Sequence, residues 1–184
     1  MSPLIAGGIA NMVFTKTPLY RKWSTPIDGG RHWKDGKRLF GDNKTWIGFG
    51  AMIVFCAVFQ MLCGWMCNGL AWNGMNDLYR HHANTPGFNA LFGTGIGFVY
   101  MLCELPNSFV KRRLQIAPGK TGRGAVGLLF FLIDQIDSLV GVMLVLFFVA
   151  QISIARYFAY VFLGAMTHIG INLVLYGIKV RKNI

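Results

Sequence analysis

Residues 128–151, LLFFLIDQIDSLVGVMLVLFFVAQ, are apolar for long enough to cross a bilayer, yet they carry Asp134 and Asp137 near their middle. About 20 apolar residues span a hydrocarbon core. A carboxylate at that depth costs at least about 2.5 kcal/mol on insertion scales. Three residues apart on a helix, the two acids project from one face and repel each other unless a proton or a cation intervenes. The remedy is a hard metal ion or a basic side chain from a neighbouring helix. The plainer alternative is an acid pair that shares a proton or an arginine and only joins helices.

Composition fits a polytopic membrane protein. Of the 184 residues, 54% are hydrophobic, and seven acids stand against eighteen bases for a formal charge of +11. Such a charge suggests either nucleic acid or anionic lipid as a partner, and the positions of the bases favour the membrane. Residues 15–44 hold eight of them, the stretch after Val110 holds five and the C-terminal tail three, with only Arg80 and Arg156 elsewhere. The positive-inside rule places the basic loops and the C-terminus in the cytoplasm. Residues 1–14 lack the basic start and the small-residue cleavage site of a secretory signal. Cys56, Cys63, Cys67 and Cys103 all lie in apolar stretches and read as small hydrophobes at helix contacts.

The expected fold class is an all-α polytopic membrane protein, a bundle of about five transmembrane helices with cytoplasmic basic loops. It forms a single domain over residues 1–184. The spans fall at 45–67, 87–110, 124–151 and 152–178, with a partial one at 1–14 that is too short to cross alone. The runs are continuous rather than alternating, which excludes barrel strands. There is no internal repeat to suggest an inverted-repeat transporter.

Three constellations offer chemistry. Asp134 and Asp137 lie on a stripe with Gly127, Phe131, Ser138 and Gly141, so the acids face inward. At the end of the second full span, Glu104, Ser108, Lys111 and Arg112 share a face at offsets of four, seven and eight, with Gly93, Gly97 and Tyr100 continuing it. Pro106 is expected to loosen this helix. Lys111 and Arg112 read as anion ligands, whereas Arg113 reads as a snorkelling topological charge. An anion held there shares a divalent cation with Asp134, Asp137 and Glu104, since carboxylates plus substrate phosphates are the usual Mg²⁺ set. The third constellation, Asp42-Asn43-Lys44-Thr45, opens a span, where free helix N–H groups can meet an anion and where Thr45 is also a natural N-cap. Neither Lys44-Thr45 nor Gly119-Lys120-Thr121 satisfies the P-loop spacing. His168 reads as a helix–helix hydrogen bond, and the histidines do not converge.

Together the segments Pro26-Ile-Asp-Gly-Gly-Arg31, Gly41-Asp-Asn-Lys-Thr-Trp46, Asn107-Ser-Phe-Val-Lys-Arg-Arg-Leu114 and Asp134-Gln-Ile-Asp-Ser138 resemble, in order and spacing, the CDP-archaeol synthase family. That family is related to the CDP-diacylglycerol synthases, the phosphatidate cytidylyltransferases. The resemblance implies five transmembrane helices and an Mg²⁺-requiring transfer of CMP from CTP to a membrane lipid phosphate. It makes Ser108, Lys111, Arg112, Asp134 and Asp137 the catalytic set. Asp42, Asn43, Lys44 and Thr45, with Lys111 and Arg112, hold the nucleotide, and Asp134, Asp137 and Glu104 hold the metal. The site then lies on the cytoplasmic side of the cell membrane. Cys103-Glu104 departs from the Gly-Asp of the family, lengthening the reach of that carboxylate, and the first span is short.

Two alternatives accompany this reading. A phosphatidate cytidylyltransferase would use the same residues on an acyl lipid, and a small transporter would also need buried acids. Nucleic acid is the weakest partner, because the bases are split among loops tethered to a membrane. The oligomeric state is open, a homo-oligomer included.

Overall fold

The computed structural model describes residues 2–177 as a bundle of α-helices with no β-strand among them. The elements are α1 (Ser2–Phe14), α2 (Pro18–Trp23), α3 (Trp46–Gly69), α4 (Asp77–His81), α5 (Pro86–Arg113), α6 (Gly124–Val149) and α7 (Ile154–Gly177). α3, α5, α6 and residues Ile154–Val174 of α7 are long and apolar enough to cross a bilayer. α1, with 13 residues, is not; at 1.5 Å per residue it rises about 20 Å against a core of about 30 Å. The basic tail and Ile178 lie outside the described residues.

Local sequence explains where the long helices begin. Thr45 and Thr85 accept from the backbone N–H groups of Gly48 and Phe88, capping α3 and α5, and Pro86 occupies the first turn of α5. α5 runs through Pro106 to Arg113 as one helix, packed against α3 and α6. Lys111 and Arg112 are therefore helical and fixed, not part of a loop.

Small residues set the helix spacing. A methyl group on Gly93 would lie 2.6 Å from Ala57 Cα, and one on Gly97 would lie 2.8 Å from Ile53 Cα. So α3 and α5 touch backbone to backbone, as small residues permit in membranes. Gly7 brings α1 onto Cys56 of α3, and Gly141 brings α6 onto Cys103 and Val99 of α5. Met52, Cys56, Ile96, Met101, Leu139 and Met143 fill the interior between them. All four cysteines are free thiols.

At one end of the bundle a polar network ties α3 to α4 and α5. Tyr79 donates to Asn89 Oδ1 at 2.7 Å, and Asn84 donates to the Gly64 carbonyl at 2.8 Å. The other end carries the first basic loop, which folds around one acid. Asp28, with a side chain 0% exposed, accepts from the backbone N–H groups of Gly30, Phe40 and Gly41, each at 3.0 Å, and from Arg38 Nη2 at 2.7 Å. Burial alone would raise its pKa, but Arg38 and the three amides hold the carboxyl well below the usual carboxylate range. The loop is stapled to the end of α5 as well. Arg113 Nε pairs with Asp35 at 3.0 Å, its guanidinium lies 4.5 Å over the Phe109 ring, and Lys37 Nζ donates to the Arg113 carbonyl at 2.6 Å. Arg113 is thus a structural clamp rather than a snorkelling charge.

Candidate active site

A cavity of about 680 Å³ opens at the basic end of the bundle, bounded by α1, α5, α6, α7 and the loops after α2 and α5. Asp134, Asp137, Glu104, Ser108, Lys111 and Arg112 all line it, as do Asn43 and Lys44. Residues up to 94 positions apart are thus gathered by the helix packing above. Thr45 lies in an adjoining hollow of about 770 Å³ that shares Lys44, Tyr100 and Glu104 with the first. Its hydroxyl is engaged, since it caps Gly48 and meets Tyr20 Oη at 2.9 Å. Asp42 is not brought in. Its side chain is 73% exposed and pairs with Arg38 at 2.8 Å, so of the four loop residues only Asn43 and Lys44 reach the main cavity.

The carboxylates are held by side-chain cations and one amide. Lys111 Nζ contacts both oxygens of Asp134 at 2.6 Å, and Lys44 pairs with Glu104. Asn107 Nδ2 donates to Asp134 Oδ1 at 2.7 Å and to Asp137 Oδ2 at 2.6 Å, bridging the two acids. Sequence reasoning quoted Asn107 within a motif but gave it no role, although it stands three residues after Glu104 and four before Lys111 on the same face. It likewise gave no role to Asp28, which shapes the loop bearing Asn43 and Lys44. The Gly119-Lys120-Thr121 segment, rejected as a P-loop, still lines the cavity.

Arg112 is 7% exposed, and its Nε and Nη1 find no hydrogen-bond partner among the described residues. Gly41, at φ +103°, lets the guanidinium approach; a Cβ there would lie 3.0 Å from Nη1. A buried guanidinium with free donors at the wall of a cavity is a ready fork for phosphate.

Among the described residues no three of His, Cys, Asp and Glu stand in metal-binding geometry. The donor chemistry nonetheless suits Mg²⁺. Asp134 and Asp137 offer hard carboxylate oxygens on one wall, Glu104 offers another, and Asn107 Oδ1 is buried with no hydrogen-bond partner among the described residues.

This fold and site define a polytopic membrane protein with a polar, mixed-charge cavity at its basic end, fitted to an anionic substrate that meets it at the membrane. Comparison with known proteins gives the family. A model described as CarS-like CDP-archaeol synthase matches residues 16–184, and the chain belongs to this family. The CDP-archaeol synthase of Methanosphaerula palustris is 34% identical over 169 residues, covering 85% of this chain and 87% of that protein. The CDP-archaeol synthase of Pyrococcus furiosus is 29% identical over 167 residues, covering 89% and 85%. A solved structure, described as an intramembrane enzyme for archaeal membrane lipids biosynthesis, shares the fold with a TM-score of 0.56 at 22% identity, covering 92% of each chain. α1 lies outside the stretch the family model matches.

Proposed function

We propose that this protein transfers CMP from CTP to an archaeal ether-lipid phosphate, giving CDP-archaeol and pyrophosphate. The observation that carries the reading is Arg112, a buried cation whose Nε and Nη1 find no hydrogen-bond partner among the described residues, set in one cavity with three carboxylates. A phosphate oxygen of the lipid attacks the α-phosphorus of CTP, and the bond to the β,γ-pyrophosphate breaks. The nucleophile is already an anion, so no general base is needed, and positioning with charge neutralisation does the work. Arg112 and Lys111 hold phosphate oxygens and Ser108 donates a hydrogen bond to one. Asn43 and Lys44 close over the nucleotide from the loop that Asp28 organises. Asp134 and Asp137, with Glu104 or Asn107 Oδ1, would hold Mg²⁺, which would neutralise phosphate charge. Lys111, which contacts Asp134 here, is the group that would turn to a phosphate oxygen. The basic end faces the cytoplasm, by the positive-inside rule, where CTP is available.

The test is CMP transfer from labelled CTP by purified protein, offered digeranylgeranylglyceryl phosphate and dioleoyl phosphatidate in parallel, with and without Mg²⁺. Metal-dependent product from the ether lipid is expected. Product from phosphatidate alone would reassign the substrate. No product from either, by protein that is folded, would overturn the reaction.

A further inference from the structure

Asn107 satisfies two neighbours at its own expense. It projects from α5, and its Nδ2 reaches Asp134 Oδ1 at 2.7 Å and Asp137 Oδ2 at 2.6 Å on α6. Ionised carboxylates only accept, so an amide set between two of them must give them its nitrogen. The amide oxygen then faces away, and Oδ1 is buried with no hydrogen-bond partner among the described residues.

Helix packing puts the amide there. A methyl group on Gly141 would lie 2.2 Å from Cys103 Sγ, so α6 comes close to α5 one turn beyond Asp137 and one turn before Asn107. At that spacing a side chain as short as asparagine spans the gap to both acids. Asp134 has a cation, since Lys111 Nζ meets both its oxygens at 2.6 Å. Asp137 accepts from two neutral donors, Asn107 Nδ2 and the backbone N–H of Ser138, the latter at 2.7 Å. A neutral amide therefore stands between the two acids, where their combined field holds a positive charge most strongly.

We infer that Asn107 keeps the place of a divalent cation: its amide nitrogen bridges Asp134 and Asp137 while no cation is bound, and when one takes that place the amide turns over and presents Oδ1 to it. The proposal rests on the metal-assisted reading above and chooses between the two donors left open there. Glu104 is already paired with Lys44, whereas Asn107 Oδ1 is buried with no partner among the described residues. Half a turn about the last side-chain torsion exchanges nitrogen for oxygen in nearly the same volume, so α5 need not move. The turn removes both defects at once, because N–H groups no longer point at a cation and the orphaned oxygen gains a partner. An amide oxygen is a hard ligand, but a neutral one, so the site stays dependent on substrate phosphates for the rest of its coordination.

The probe is Mn²⁺ with the purified protein, in the absence of CTP and lipid. With asparagine ¹³C-labelled at Cγ, electron–nuclear double resonance should show a ¹³C coupling to bound Mn²⁺ that is absent in Asn107→Ala. With ¹⁵N-asparagine in the metal-free protein, the side-chain NH₂ signal that Asn107→Ala removes should shift when Mg²⁺ is added, as its bonds to the acids are lost. Asn107→Asp supplies a third carboxylate. It should bind Mn²⁺ about tenfold tighter than the parent and gain less from added CTP. Melting with and without Mn²⁺ shows that each variant is folded. Absence of the coupling in the parent, its survival in Asn107→Ala, or an amide signal unmoved by saturating Mg²⁺ would overturn the proposal. So would an Asn107→Asp variant that binds Mn²⁺ no tighter than the parent. None of these readouts needs turnover, so the two readings can fail separately. Coupling to Asn107 in a protein that makes no CDP-lipid keeps the ligand and removes the reaction, and CMP transfer without the coupling does the reverse.

Discussion

Replacing Arg112 with methionine should make the ligand-free protein more stable and the enzyme inactive. Arg112 is 7% exposed, enters no ion pair among the described residues and leaves Nε and Nη1 without partners. An unsatisfied buried polar group costs about 1–3 kcal/mol, and more when it is charged. Methionine is unbranched and fits the same channel beside Gly41 and Pro118. Removing the charge should therefore stabilise the fold by about 1–3 kcal/mol, a rise of a few degrees in Tm, since 1 kcal/mol moves a domain of 150–250 residues by about 2–4 °C. Catalysis moves the other way. Two charge-assisted bonds to phosphate at about 1.5–3 kcal/mol each correspond to a loss of roughly 10²–10⁴ in kcat/KM. Lysine at this position keeps the charge but not the fork, so Arg112→Lys should lie between, about 10–100-fold down. Melting in detergent without ligand, together with CMP transfer at saturating lipid, reads both quantities. A methionine variant that melts lower than the parent, or that keeps a tenth of its activity, would refute the argument that Arg112 is held unsatisfied for the substrate.

Four further perturbations have signs fixed by the structure. Asp28→Asn keeps the shape but turns a donor toward donors, and breaking a buried pair of this kind costs about 3–5 kcal/mol; the CTP KM should rise well before the helices melt, as read by nucleotide kinetics beside far-UV melting. The carboxyl of Asp28 titrates lower in the fold than in the unfolded chain, so its contribution is complete above the unfolded value near 3.8 and is lost only as pH falls below that; acid titration of CTP-dependent stabilisation should show a loss below about pH 4 that is absent in Asp28→Asn. Gly93→Ala should cost about 1–3 kcal/mol by forcing α3 and α5 apart, visible as a lower Tm. Asn107→Leu leaves Asp134 and Asp137 without their shared donor, so Mg²⁺ dependence should shift to higher concentration, measured as the Mg²⁺ requirement of the CTP-induced Tm shift.

The helices and most of the site were legible because each is encoded by a local pattern. Apolar length marks the spans, and the offsets of four, seven and eight from Glu104 put it on one face with Ser108, Lys111 and Arg112. Two acids within a span can be tolerated only beside a polar cavity or a partner, so Asp134 and Asp137 mark the centre by residue type and position alone. What was not legible depends on how segments dock. Asp28, one acid in a loop with eight bases, carries no periodic signal, and its role exists only once Gly30, Phe40 and Gly41 have turned their N–H groups toward it. Arg113 was set apart from Lys111 and Arg112 as a snorkelling charge, one step of about 100° around the helix from Arg112, but nothing local announced the clamp that it makes with Asp35. Asp42 illustrates the same limit in reverse. It sits directly before two cavity residues, but pairing with Arg38 holds it outside the main cavity.

The side-chain cations that satisfy the acids bear on mechanism too. Lys44 on Glu104 and Lys111 on Asp134 keep neighbouring carboxylates from repelling each other when no substrate is present. The same lysines are the groups that a triphosphate would attract. On this reading Mg²⁺ and CTP act together: metal alone must displace lysines that have nowhere to go, and nucleotide alone leaves the acids bare as the lysines depart. The affinity of each ligand should therefore rise with the other, and by linkage the two enhancements must be equal.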